Sequence, residues 1–201
     1  MEAKKNLILS QALEIFRKYG IKSVSMDDLS SSMHMSKKTI YKHFKNKEDL
    51  ISHLFLGYVS EKFQEFQESQ ISKKRNAIDY LIEVHSFLFE QQSFFTPAIN
   101  HDIQTTYPHI FNELHTKTIE NAQLLIEQNI ALGQAQKLYK KNINTHIIIY
   151  IFSHLSLFIE QSFENTISSK ELFHEILRIF IYSVSNNNGI LYYESITGTK
   201  E

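Results

Sequence analysis

Basic and hydroxyl-bearing side chains are concentrated in one short stretch near the start of the chain, SMHMSKKTIYKHFKNKEDL, residues 32–50. Lysine ammonium groups can pair with phosphate, and threonine, tyrosine and histidine side chains can contact base edges in the major groove of DNA. A solvated helix face is also rich in lysine. The stretch therefore leaves two interpretations open, a solvated basic helix or a surface that binds a polyanion.

Charge is distributed unevenly along the 201 residues. The formal net charge is −1, yet residues 1–48 contain ten Lys and Arg against five Asp and Glu, a net of +5. Residues 49–201 contain eleven against seventeen, a net of −6. This asymmetry favours a polyanionic partner for the first part alone.

Composition narrows the fold class and the kinds of site. Hydrophobic residues make up 42% of the chain, and only 5 Gly and 2 Pro interrupt it, so we expect an all-α protein with a substantial core. The absence of cysteine excludes disulfides and thiolate metal sites. No signal-peptide pattern opens the sequence, and we expect a cytoplasmic location.

The segment INTHIIIYIFSHLSLFI, residues 143–159, is the most apolar part of the chain. It contains His146 and His154 and is followed by Glu160. A membrane span needs roughly 20 predominantly apolar residues, which is more than this segment supplies. We therefore predict a buried or interface helix here and no membrane partner.

Helix signals are clearest in the first part of the chain. Apolar residues recur at helical spacing over residues 4–18, and Gly20 stands where a helix end requires a positive φ. Ser25 is predicted to cap a second helix over about Met26–Met33, with Asp28 in the reciprocal capping position.

A third and a fourth helix follow after a short break. Ser36 is predicted to cap a helix over residues 37–44, in which Ile40 and Phe44 face inward, and Asn46 to cap a longer helix. Two short helices joined by a tight turn, after a bracing helix, form a helix-turn-helix unit.

The remainder of the sequence predicts long helices with short connections, about nine helices in all. They are expected to open at Ser72 and at residue 97, to run from Pro108 to about Leu132 with a stop at Gly133, and to occupy about residues 143–164 and 169–187.

The stretch around residues 25–50 resembles the DNA-binding domain of TetR-family transcriptional regulators. Residue order and spacing both agree with the family pattern, and the resemblance covers about residues 4–55. The matching residues are Ser25, Leu29, Ser36, Thr39, Ile40, Tyr41, His43, Phe44, Asn46, Lys47, Glu48 and Leu50.

The resemblance implies an N-terminal three-helix, homeodomain-like DNA-binding domain at residues 1–47, with its helix-turn-helix motif at about residues 25–44. It also implies a C-terminal helical ligand-binding and dimerisation domain at residues 48–201. The partner would be double-stranded DNA. The implied DNA contacts are Ser25, Ser36, Lys37, Lys38, Thr39, Tyr41, Lys42, His43 and Lys47.

Two positions depart from the family pattern. The turn contains Met33, His34 and Met35 where the family usually has Ala-Gly-Val, and Lys38 stands where the family often has Gly. Histidine is enriched among residues that adopt a positive φ, so we expect the turn to survive.

The C-terminal domain is expected to form a homodimer through its last two long helices. It is also expected to bind an unknown lipophilic or aromatic effector. Phenylalanine and tyrosine at helical spacing are more often core than pocket wall, so the pocket assignment has a strong alternative. The candidate lining residues are His85, Phe87, Phe94, Phe95, Tyr107, Phe111, His115, Tyr150 and His154.

Three functions are compatible with these patterns. The first is a ligand-responsive repressor that binds a palindromic operator as a homodimer. The second is a constitutive dimeric DNA-binding or architectural protein without an effector. The third is an enzyme, but no G-x-S-x-G, P-loop or G-x-G-x-x-G motif is present. We therefore expect no catalytic residue, no cofactor and no metal site.

Overall fold

The computed structural model describes residues 2–71, 73–158 and 168–198. These residues form ten α-helices and no strand, which confirms the all-α prediction. The helices are α1 Glu2–Tyr19, α2 Met26–Ser32, α3 Lys37–Tyr41, α4 Lys47–Gln70, α5 Ala77–Phe94, α6 Pro97–Thr106, α7 Pro108–Ala135, α8 Thr145–Phe158, α9 Ser169–Val184 and α10 Asn187–Thr197. Within the described ranges, none of the helices has both the length and the apolar content that crossing a membrane requires.

The chain divides into two compact units. The first unit comprises Met1–Glu68 and Phe95–Thr118, and the second comprises Ser69–Phe94 and Ile119–Glu201. The first unit thus extends beyond residue 47, where the DNA-binding domain is expected to end, and includes α6. The functional boundary at residue 47 stays a prediction.

The core of the first unit includes residues of α1, α2 and α3 and of the turn that follows α3. Phe16, Leu29, Ile40 and Phe44 are at most 1% exposed, as their helical spacing predicts. Helices as short as α2 and α3 are not stable in water by themselves. Their packing on this core therefore keeps them folded.

The second unit contains a buried polar connection between α5 and α7. The side-chain amide of Asn129 donates to the carbonyl oxygen of Ala77 at 2.6 Å, and the Tyr139 hydroxyl donates to the Asn129 side-chain oxygen at 2.9 Å. Burial raises the pKa of Tyr139. These bonds satisfy polar groups that would otherwise destabilise the core.

The end of α7 differs from the prediction. Gly133 lies inside the helix, which continues to Ala135, and the left-handed residue after it is Lys137, with a φ of 59°. A side chain at Gly133 would collide with the Tyr139 ring. This glycine therefore serves close packing rather than helix termination.

Three further boundaries also differ. The helix predicted to open at Ser72, which lies outside the described residues, begins at Ala77, because the Asn76 side chain accepts hydrogen bonds from the next helical N–H groups. The helix predicted to end at residue 187 ends at Val184. Residue 164, the predicted end of the preceding helix, lies outside the described ranges.

A tenth helix follows α9 and was not predicted. Its first N–H groups donate to the side-chain oxygen of Asn186, and it ends at Gly198, which has a φ of 72°. The sequence between these two residues contains asparagines and a glycine, which favour turns and hide the helical pattern.

Candidate nucleic-acid interface and body cavity

Side-chain caps fix the start of α2 and α3. The Ser25 hydroxyl accepts a hydrogen bond from the Asp28 N–H at 3.1 Å, and the Asp28 carboxylate accepts one from the Ser25 N–H at 2.8 Å. The Asp28 carboxylate also accepts a hydrogen bond from the Ser25 hydroxyl at 2.6 Å, and this bond, followed by the one from the Ser25 N–H, lowers the pKa of Asp28. The Ser36 hydroxyl accepts from the Thr39 N–H at 3.1 Å. Both predicted caps are confirmed, and they satisfy N–H groups that a helix start leaves without partners.

The turn between α2 and α3 contains a left-handed residue. His34 has a φ of 51°. Its N–H donates to the Ser31 carbonyl at 3.2 Å, and the Met35 N–H donates to the Ser30 carbonyl at 3.0 Å. This pair of bonds is typical of a helix that ends in a left-handed residue. The prediction that histidine supports the turn without glycine is confirmed.

The outer side of α3 exposes most of the predicted DNA-contacting groups. Ile40 and Phe44 fix the helix to the core, and Thr39 and His43 are partly buried. The helix ends at Tyr41, three residues before the predicted end, and a further turn follows it. The exposed side chains, which we call the recognition surface, are Lys37, Lys38, Tyr41 and Lys42.

One lysine of the recognition surface is paired within the chain. Lys37 Nζ lies 2.7 Å from Asp27 Oδ2 on α2, and both side chains are exposed. This hydrogen bond raises the pKa of Lys37. A DNA phosphate would therefore compete with the Asp27 carboxylate for the Lys37 ammonium group. No sequence pattern indicates this pair, because the two residues are ten positions apart on different helices.

Lys47 is directed toward the protein. Its ammonium group donates to the Ile21 carbonyl oxygen at 2.5 Å. Burial lowers the pKa of Lys47, while the nearby carboxylates of Asp102 and Asp28 oppose that shift. One of its three N–H donors is therefore taken up within the protein.

Two contacts from α6 and α7 support the start of α4 and the loop before α2. The Lys22 N–H donates to Asp102 Oδ2 at 2.9 Å, and His109 Nε2 lies 2.9 Å from Glu48 Oε1. Sequence reasoning missed both contacts, since Lys22 and Asp102 are 80 residues apart and no periodic pattern relates them.

The last two long helices expose an apolar stripe. On α8, Ile147, Tyr150 and Ile151 are 54%, 62% and 42% exposed, and on α9 Ile179 is 51% exposed. The two helices pack against each other. We call these four residues the apolar stripe; an exposed apolar patch of this kind is typical of a protein interface.

The second unit contains a cavity of about 20 Å³. We call it the central cavity; its volume suffices for about one water molecule. The residues that line it come from α5, α7, α8 and α9. They are Leu81, Val84, His85, Leu88, Ile126, Phe152, Ile176, Leu177 and Phe180.

His85 is the polar member of this lining. Burial and, to a smaller extent, the nearby His174 lower its pKa to about 3, although a hydrogen bond with the Phe173 backbone acts in the opposite direction. The His85 and Phe173 rings are 3.7 Å apart between centroids. Among the residues that the structure describes, no group forms a hydrogen bond with His85 Nε2.

Comparison with known proteins finds a family match for the first part of the chain. The profile described as "Bacterial regulatory proteins, tetR family" matches residues 8–54, which contain the caps, the turn and the recognition surface. The uncharacterized HTH-type transcriptional regulator YhgD of Bacillus subtilis (strain 168) is 33% identical over 86 residues, 43% of this chain and 43% of that protein. Residues 8–54 thus resemble the DNA-binding part of TetR-family regulators. The match to this relative spans less than half of its length.

Solved structures agree with the TetR-family fold along most of the chain. A transcriptional regulator from Saccharomonospora viridis in complex with choline has a TM-score of 0.74 at 16% identity, with 93% of this chain and 100% of that chain covered. SmeT in a complex with triclosan has a TM-score of 0.67 at 13% identity, with 93% and 94% covered. At these identities the likeness establishes the fold alone.

The predicted pocket residues are divided between the two units. His85, Phe87, Phe94, Tyr150 and His154 lie in the second unit, and Phe95, Tyr107, Phe111 and His115 lie in the first. Of the nine, His85 lines the central cavity. Sequence reasoning missed its other lining residues, because Leu, Ile and Val on a buried helix face give the same pattern whether or not a cavity adjoins them.

Across the described part of the chain, no group of three or more histidine and acidic side chains is arranged to hold a metal ion.

Proposed function

We propose that this chain is a TetR-family regulator, binds a palindromic DNA operator as a homodimer and represses transcription until a small-molecule effector lowers its affinity for the operator. The observation that carries DNA binding is the recognition surface. Three lysines and Tyr41 face solvent on a helix that Ile40 and Phe44 fix to the core. An exposed, rigidly held basic helix of this kind fits the major groove.

The contacts in this complex divide by chemistry. Lys37, Lys38 and Thr39 would enter the groove at the start of α3, and Tyr41, Lys42 and His43 would follow along it. Ser25 and Ser36 would contact phosphate at the two capped helix starts. Lys47 would join them through the N–H donors that do not bind the Ile21 carbonyl. Phosphate contacts position the domain, whereas base contacts select the sequence.

Homodimerisation is supported by the apolar stripe. Two copies of the stripe packed together would remove Ile147, Tyr150, Ile151 and Ile179 from water, which stabilises association in proportion to the apolar area buried. A dimer places two recognition helices on successive half-sites, and linking them increases affinity without any new contact.

Effector binding is supported by the central cavity and by the structural neighbours. The cavity lies among helices of the second unit and is lined almost entirely by apolar side chains. The choline complex and the triclosan complex are examples of this fold with a bound small molecule. An effector would act by preferring one conformation of the dimer over another.

The small size of the cavity favours a second function, a constitutive dimeric DNA-binding or architectural protein. A volume of about 20 Å³ admits no molecule much larger than water unless the lining side chains move. The two functions share the recognition surface and the dimer. They differ in whether any small molecule changes operator affinity.

Selection from random DNA with the purified chain tests DNA binding. We expect enrichment of an inverted repeat whose half-sites are about one helical turn apart. Affinity for the selected sequence should also decrease steeply as salt is added, because phosphate contacts release counterions. Enrichment of no sequence, together with an affinity independent of salt, would refute the proposal.

The effector is tested with the selected operator. A set of lipophilic and aromatic compounds is added to the protein–operator complex while binding is followed by fluorescence anisotropy. A compound that lowers operator affinity in a saturable way supports the ligand-responsive repressor. If no compound changes affinity, the constitutive function is supported instead.

A further inference from the structure

The central cavity combines apolar walls with one polar side chain, His85, whose Nε2 atom has no hydrogen-bond partner within the described residues. The lining side chains other than His85 are Leu, Val, Ile and Phe. The Nε2 atom of His85 is buried, and no hydrogen-bond partner for it exists in the described part of the chain. Buried polar atoms are nearly always satisfied by protein or by a bound molecule, so an unsatisfied one needs an explanation.

The imidazole of His85 is uncharged at neutral pH, because burial among apolar side chains lowers its pKa to about 3. A neutral imidazole has one N–H donor and one nitrogen acceptor. It therefore offers a hydrogen bond but no charge. A carboxylate or an ammonium group placed beside it would lose its hydration without gaining an opposite charge, which is strongly unfavourable.

We propose that the central cavity takes an uncharged, mostly apolar molecule with a single hydrogen-bonding group, such as an alcohol or a phenol, and that His85 Nε2 is the partner of that group. This inference rests on the proposed function, since it names the chemical class of the effector. The general expectation is only that the effector is lipophilic. The inference adds that the effector has no charged head group and that its hydrogen bond is formed with one atom, His85 Nε2.

Aromatic side chains beside the cavity suit a ring-containing ligand. The Phe152 and Phe180 rings meet edge to face at 4.2 Å between centroids, and the Phe173 ring contacts both His85 and Phe89. Aromatic rings favour such edge and offset contacts. A ligand ring would occupy volume that these side chains vacate by rotating, so binding requires the cavity to expand.

Four probes that differ only in their head group test the inference. Benzyl alcohol, toluene, benzoate and benzylamine are titrated into the full-length chain, and binding is measured by calorimetry and by the shift in thermal unfolding. We expect saturable binding of benzyl alcohol, about tenfold weaker binding of toluene, which lacks the hydrogen bond, and no binding of the two charged probes.

Two variants of His85 locate the effect. In His85→Leu, the preference for benzyl alcohol over toluene should disappear. In His85→Gln, which keeps a hydrogen-bonding group, the preference should be retained. Circular dichroism of both variants checks whether each is folded. If His85→Leu unfolds, the preference measured in His85→Gln still tests the inference.

Several results would overturn the inference. Benzoate or benzylamine binding as tightly as benzyl alcohol would exclude the proposed chemistry, and an unchanged preference in His85→Leu would exclude the proposed anchor. Binding of none of the four probes would mean that the cavity holds water alone. DNA selection with the same preparation keeps the two proposals apart, because it depends on the recognition surface and not on His85.

Discussion

The recognition surface and the apolar stripe are both exposed, yet they meet water with opposite chemistry. The recognition surface presents ammonium groups and a phenol on a short helix, and all of these groups are well hydrated. The apolar stripe presents Ile147, Ile151 and Ile179 with the ring of Tyr150 between them, and these groups gain free energy by leaving water. The first surface therefore suits a charged, hydrated partner, and the second suits another apolar surface.

In the proposed function, this difference would allow one chain to use separate surfaces for DNA binding and for dimerisation. Charged contacts on the recognition surface weaken as salt is added, because phosphate-bound counterions compete with them. Apolar contacts at the stripe depend little on salt. Operator affinity should therefore be salt-sensitive while dimerisation is not, and each surface can be disabled separately.

The largest effect is expected from a charge in the apolar stripe. In Ile151→Asp, a carboxylate would be buried in the dimer interface without a partner, so dimerisation should weaken at least about 100-fold. Operator affinity should fall with it, because a monomer presents one recognition helix. Sedimentation velocity measures the assembly, and fluorescence anisotropy measures operator binding.

Ile71→Asp is the matched control for that change. Ile71 is 85% exposed and lies outside the stripe, so the same substitution there should leave both assembly and operator affinity unchanged. A dimer that persists in Ile151→Asp would place the interface elsewhere. An equal loss of operator affinity in Ile151→Asp and Ile71→Asp would mean that added negative charge alone weakens DNA binding.

The next largest effect concerns the stability of the fold in acid. It depends on His85, which is largely buried in the second unit, whereas His34 of the first unit is exposed. The pKa of His85 is about 3 in the folded chain, against 6.5 for an ordinary histidine. Above pH 6.5 the group is neutral in both states and has no effect. Below pH 6.5 only the unfolded chain binds the proton, so the folded state loses stability, by about 2 kcal/mol between pH 6.5 and 5.

Urea unfolding at pH 7.5 and pH 5 measures this contribution. The wild-type chain should lose more stability over that interval than His85→Leu, and the difference should be close to the 2 kcal/mol expected for one proton. A wild-type chain and a His85→Leu variant with the same acid sensitivity would show that His85 is protonated in the folded state.

Sequence alone predicted the caps of α2 and α3 and the turn between them, because their determinants are local. Ser25 with Asp28, Ser36 with Thr39 and the turn at His34 each act across a few residues, so their spacing can be read from the chain. The inward positions of the short helices followed from the helical repeat.

The remainder depends on residues that are distant in sequence. Lys47 has the residue type and position of a phosphate contact, yet its ammonium group donates to Ile21. Gly133 resembled a helix stop, but it accommodates the ring of Tyr139. Likewise, an apolar helix face has the same pattern whether it adjoins a cavity, a core or a second copy of the chain.

A smaller effect is expected from Tyr41, which is 48% exposed on the recognition surface. Tyr41→Ala should weaken operator binding about tenfold, because one groove contact is lost, and thermal stability should stay the same. Tyr19→Ala is the matched control, since Tyr19 is 57% exposed on α1. Anisotropy titrations of both variants measure the change, and an equal affinity for the operator in the two variants would exclude Tyr41 from the interface.

The smallest effect is expected where the recognition surface carries its own opposing charge. Asp27→Asn would release Lys37 from its 2.7 Å pair and remove a negative charge close to the DNA phosphates, so operator affinity should rise a few-fold. Thermal stability should hardly change, because exposed ion pairs contribute little. Glu14→Gln removes the same charge from an exposed position on α1 and should leave affinity unchanged. An operator affinity that falls in Asp27→Asn would mean that Asp27 itself positions Lys37 for contact with DNA.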